Sequence, residues 1–152
     1  MSKTISKDTP LAEVTLRRYE KPSVSGRDLV RKLCLSTGLL QPGDSRDVVV
    51  DILHVLLKNK KDMNSEEIRG AVIEVRKKMK LPLLGVASSN VRRQLKRLRD
   101  IFLIEKIVNN YRITENLSLS EVMEEKLEKL LLPSLLDRVK DYFKAVDKEF
   151  SS

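Results

Sequence analysis

Between Arg76 and Arg99 nine side chains are basic and none is acidic: Arg76, Lys77, Lys78, Lys80, Arg92, Arg93, Lys96, Arg97 and Arg99. The whole 152-residue chain carries a formal net charge of +8, so the rest of it is close to neutral. A run of this kind can neutralise a polyanion, releasing the counterions condensed on it. Its residue types also suit base edges, because Arg can fork onto guanine O6 and N7 and Asn onto adenine. At about 100° per residue, with Val91, Leu95 and Leu98 turned inward, Ser89, Arg93, Lys96 and Arg97 point outward, flanked by Asn90 and Arg92. A merely solvated face mixes signs, as Glu121, Glu124, Glu125, Lys126, Glu128 and Lys129 do further along. Arg76, Lys77, Lys78 and Lys80 have a competing explanation, since cations at a helix C-terminus complement its dipole.

Other chemistry finds little footing. His54 stands alone in the most apolar stretch, and Cys34 lies in the apolar pattern of a helix. Together they fall short of a four-ligand zinc site, and no CxxC, HExxH, phosphate-cradling glycine loop or nucleophile elbow occurs. Asp44, Asp47 and Asp51 have helical spacing, which acids at a helix N-terminus explain. The expectation is therefore no catalytic residue, no metal and no cofactor.

The length suits one domain with extensions. Hydrophobic residues make up 41% and aromatic residues only 4%, so Leu, Ile and Val must build the core. A single cysteine rules out an intrachain disulfide and points to a reducing, cytoplasmic setting. Met1–Pro10 is polar and shows no signal-like apolar stretch, and no membrane span is expected.

The elements that must position the basic run follow from periodicity and punctuation. Leu11–Glu20 alternates enough for a short helix or strand, before Pro22 and Gly26 end it. A first helix is expected over Arg27–Ser36, capped by Ser25 and closed by Gly38, with Leu29, Val30, Leu33 and Cys34 on one face. A second, capped by Asp44 or Ser45, runs to Lys58 with a wide stripe of Val48, Val49, Ile52, Leu53, Leu56 and Leu57 that makes it central. Asn64 and Glu67 have capping-box spacing and open a third helix, which Pro82 and Gly85 close. Ser88 or Ser89 opens a fourth, to Asp100. Ile104–Val108 reads as a strand, with Asn109 and Asn110 as a two-residue turn and Tyr111–Ile113 returning. Ser118 and Glu121 form a second capping box. The tail they open is interrupted at Pro133, where Ser134 can cap a restart, giving a kinked helix or a helical pair.

Three helices followed by a short hairpin over residues 44–114 resemble the winged helix-turn-helix superfamily of prokaryotic and archaeal transcriptional regulators. The stretch Ser88–Thr114, reading SSNVRRQLKRLRDIFLIEK and then IVNNYRIT, is similar to that family's recognition helix and wing. The resemblance implies a mainly α fold in three parts: an extension with one helix at 1–43, a winged-helix domain at 44–115 and a helical tail at 116–152. It also implies that the 88–100 helix lies in the DNA major groove while the wing rests on neighbouring backbone. Ser89, Asn90, Arg92, Arg93, Lys96 and Arg97, with Lys106 and Arg112 on the wing, are the expected DNA-binding residues. The apolar stripe of the tail suggests a homodimer, whose two-fold axis would set two recognition helices ~34 Å apart on a palindromic site. Two alternatives remain open: an adaptor winged helix in a larger assembly, and an RNA-binding protein. The few aromatic residues disfavour the second, because none clusters with the basic run to stack bases.

Overall fold

The computed structural model describes residues 17–151. Most of the segment 11–20, expected as a short helix or strand, lies outside them, and residues 17–25 form no regular element. Helices α1 (Gly26–Ser36), α2 (Val48–Asn59), α3 (Ser65–Lys78) and α4 (Ser88–Asp100) precede a hairpin of β2 (Ile104–Ile107) and β3 (Asn110–Ile113). Between α2 and α3 lies a two-residue strand, β1 (Met63–Asn64). After β3 come α5 (Leu119–Val122), a π-wound stretch (Met123–Leu131) and α6 (Leu132–Phe150). The protein is thus mainly helical with a small three-stranded antiparallel sheet. Among the described residues no helix is long and apolar enough to cross a membrane.

The composition of α2 makes it the centre. Val48, Val49, Val50, Ile52, Leu53, Val55 and Leu56 are all buried, and a helix apolar around its circumference needs neighbours on every side. α1, α3 and α4 supply them. The first helix therefore shares the core, through Val30 and Cys34, whereas Leu29, expected on the same inward face, is 43% exposed.

Asp47 and Asp51 do something other than decorate a helix N-terminus. α2 starts at Val48, and Asp47, at its N-cap position, makes no side-chain capping bond. Instead Arg27 donates to Asp51 at 2.7 Å and pairs with Asp47 at 3.0 Å. Arg76 reaches the same two carboxylates at 2.6 and 3.0 Å, and its Nε donates to the Pro82 carbonyl at 2.7 Å. Arg76, grouped by sequence with the surface cations, is in fact among the largest fully buried side chains. Burial works against charge at Arg27 and Asp47, but hydrogen bonds outweigh it: Asp51, and then Asp47, hold the Arg27 guanidinium above its ordinary pKa, and Arg27 with Arg76 holds the Asp47 carboxyl below its own.

Local signals position α3. Asn64 accepts from the Glu67 amide at 2.8 Å while Glu67 accepts from the Asn64 amide at 2.9 Å, the reciprocal capping box that the spacing predicts. α4 ends in a Schellman arrangement, the Leu103 amide donating to the Leu98 carbonyl and the Phe102 amide to Arg99. Phe102 occupies its left-handed position at φ +64, a place that usually favours glycine.

The sheet order is β1-β3-β2, with Met63 opposite Tyr111 and Asn64 opposite Asn110. The hairpin turn differs from the expected Asn109–Asn110 pair by one residue. Asn110 belongs to the ladder, opposite Ile107, so Val108 and Asn109 make the turn and Val108 carries the positive φ of 58. β1 was not expected, because two residues carry no alternation to read.

Of the two forms expected for the tail, a kinked helix or a helical pair, the second is excluded, since the chain stays helical through Pro133. Pro133 falls in the first turn of α6, and the winding before it is widened, with the Leu132 amide bonding to the Leu127 carbonyl five residues back. A proline has no amide to place in that ladder. Ser134 does not cap: its hydroxyl donates back to the Leu131 carbonyl at 3.0 Å. The second capping box, Ser118 with Glu121, is formed.

Candidate nucleic-acid interface

α4 is placed by one apolar face. Val91, Leu95 and Leu98 are completely buried at spacings of four and three, and they pack the helix on α2 and α3. The remaining circumference carries the charge. Ser89, Arg92, Arg93, Lys96 and Arg99 are exposed, whereas Asn90, Gln94 and Arg97 are half-buried.

Of the nine cations in the acid-free run, seven face solvent: Lys77, Lys78, Lys80, Arg92, Arg93, Lys96 and Arg99. The other two are structural. Arg76 is committed to the buried carboxylates. Arg97 donates to Gln94 at 2.7 Å and to the Leu39 carbonyl at 3.0 Å, tying α4 to the loop after α1.

Asn90 is also engaged. Its amide donates to the Gly85 carbonyl at 2.7 Å, while its oxygen accepts from Arg93 at 2.7 Å and from Gln94 at 3.2 Å. Gly85 sits at φ +78, and a Cβ there would lie 3.1 Å from that amide nitrogen. Asn90 thus fastens the connection between α3 and α4 and steers the Arg93 guanidinium. Lys96 forms an exposed pair with Asp100 at 3.1 Å, a weak contact that a phosphate can displace.

On the hairpin, the two expected residues differ. Lys106 is exposed, its ammonium 5.7 Å from the Tyr111 ring centre. Arg112 is half-buried and donates to Glu105 at 2.7 Å, and Glu105 also accepts the Glu115 amide. Burial opposes the Glu105 charge, but those hydrogen bonds prevail and hold its carboxyl below the usual range. Arg112 therefore arrives with its charge matched, and Lys106 is the freer cation.

Arg99 belongs to the acid-free run but not to the expected contacts. It stands seven residues after Arg92 and three after Lys96, so all three fall on one side of the helix. The 3.6-residue period alone would have found it. Elsewhere, Cys34 is fully buried and burial pushes its thiol up to about 12. No group of residues able to hold a metal occurs among the described residues.

The arrangement offers a rigid helix with four exposed guanidinium or ammonium groups and a serine at its first turn, beside a hairpin with one further lysine. Comparison with known protein families, with curated proteins and with solved structures finds no match to this chain.

Proposed function

We propose that this chain is a winged helix-turn-helix protein that binds double-stranded DNA, with α4 in the major groove, and that it acts in the cytoplasm as a dimeric transcriptional regulator joined through its C-terminal helix. The element order α2-β1-α3-α4-β2-β3 supports the resemblance, because the hairpin follows the third helix of the unit and its second strand pairs back to the strand between the first two.

The observation that carries DNA binding is the exposed row Arg92, Arg93, Lys96 and Arg99 on a helix whose opposite face is anchored by three fully buried residues. Anchoring removes the cost of ordering the helix on binding. Ser89, Arg92 and Arg93 lie in its first turns, the part of a recognition helix that approaches base edges. Lys106 is suited to a backbone phosphate.

Titration of a labelled duplex tests this. If about five phosphates are neutralised, log affinity falls with log salt at a slope of about −4 to −5. Arg92→Glu combined with Arg93→Glu is expected to abolish binding while leaving oligomeric state unchanged. A flat salt response, or full binding by the double variant, rejects the proposal.

A further inference from the structure

α6 carries an apolar stripe that no described residue covers. The π-wound stretch before it sinks Leu127 and Leu131 into the core, whereas α6 itself buries nothing. Leu136, Val139, Phe143, Val146 and Phe150 are each more than half exposed, Phe143 at 72% and Phe150 at 82%. Their spacing alternates three and four, the a/d seam of a coiled coil, with Leu136, Phe143 and Phe150 at a and the two valines at d. Tyr142 flanks the seam, 61% exposed.

Two properties of the stripe select its occupant. Taking ~200 Å² for each aromatic side chain and somewhat less for Val, Val139, Tyr142, Phe143, Val146 and Phe150 expose on the order of 600 Å², approaching the ~800 Å² each partner buries in a stable interface. The charges around it cancel as well: Asp137, Asp141, Asp147 and Glu149 against Arg138, Lys140, Lys144 and Lys148. In a chain of net charge +8, this neutral helix lets two copies meet without repulsion.

Side-chain size and charge also fix the direction. Parallel pairing would stack phenylalanine on phenylalanine and valine on valine, and would set Leu135 beside Lys140 and Tyr142 beside Asp147, with no ion pair. Antiparallel pairing sets Phe143 against a valine. Centred between Leu136 and Val146, it brings Lys140 beside its own copy; centred between Phe143 and Val146, it brings Lys140 beside Asp147 twice. We propose that α6 pairs antiparallel with α6 of a second copy of this chain, Phe143 packing on Val146 of the partner subunit and Lys140 beside Asp147 of the partner subunit. This names the interface of the dimer proposed above and rests on that dimer.

Sedimentation equilibrium of the full chain tests it. The wild type is expected to be a dimer and Phe143→Glu a monomer, with amide exchange in α2 unchanged because α6 contributes nothing to the core. Asp147→Lys alone is expected to weaken the dimer about tenfold, by replacing two attractions with two repulsions. Adding Lys140→Asp is expected to restore it to within about threefold. A monomeric wild type overturns the dimer itself. A dimer that survives Phe143→Glu leaves the dimer standing and overturns this interface, and a dimer indifferent to charge reversal and its rescue overturns the antiparallel register.

Discussion

Arg76 and Asp51, 25 residues apart in sequence, meet at 2.6 Å with both side chains closed to solvent. Asp51 is shared, because Arg27 approaches its other oxygen at 2.7 Å. One carboxylate on the central helix therefore holds α1 and α3 at once, with Asp47 bridging the same two arginines. The helix that leads into the basic run is fixed at its C-terminal end by the run's own first residue.

Breaking this network is expected to be costly. Arg76→Met leaves Asp51 with Arg27 alone, Asp47 with Arg27 and the more distant Arg31 at 3.8 Å, and the Pro82 carbonyl without its donor. The loss should be about 3–5 kcal/mol, read as a shift in urea midpoint at unchanged slope. A loss below about 1 kcal/mol would mean that the network is solvated.

Arg97 and Arg93 should separate stability from binding, although four residues apart on one helix. Arg97→Ala removes the bond to Leu39 and is expected to cost about 1–2 kcal/mol of stability. Arg93→Ala removes one side-chain hydrogen bond, to Asn90 on the surface; it should leave stability within about 0.5 kcal/mol and weaken duplex binding severalfold. Thermal melts and duplex titration of the two variants give the comparison; the opposite assignment of effects would move the binding face around the helix.

What could be read from the sequence was what is encoded over three or four residues. Asn64 with Glu67, and Ser118 with Glu121, close their capping boxes because both partners sit within one turn. Val91, Leu95 and Leu98 show their inward face by period alone. The misreadings of the two committed arginines involve distance. The partners of Arg76 lie 25 and 29 residues away and that of Arg97 lies 58 away, so charge type was visible and commitment was not. The turn slipped by one residue for the same reason: Asn110 is claimed by two neighbouring strands, and turn propensity is blind to neighbours.

His54 should make stability depend on pH. Burial, and then the nearby Lys58, disfavour its charged form and hold its pKa below the ordinary 6.5, and its Nδ1 is buried with no hydrogen-bond partner among the described residues. As pH falls below 6.5 the unfolded chain takes up this proton first. The contribution is therefore complete above 6.5 and is lost as pH falls toward the folded value. Urea melts at pH 7.5 and 5.5 are expected to show the wild type weaker at 5.5. His54→Leu should reduce that difference; an equal drop in both proteins would assign it to other groups.

Val108 is expected to be a site where glycine stabilises. A β-branched side chain at φ 58 pays for a left-handed backbone, at a cost of roughly 1–2 kcal/mol. Being 86% exposed, it recovers almost nothing by packing. Glycine adopts this φ freely but loses ~0.5–1 kcal/mol of chain entropy on folding, so Val108→Gly should leave a net gain of about 0.5–1 kcal/mol. Val108→Ala keeps the Cβ and most of the strain, and is expected to change little. Chemical denaturation of both variants distinguishes strain at the turn from a side-chain effect: equal gains from Gly and Ala would trace the cost to the valine's bulk rather than to its backbone.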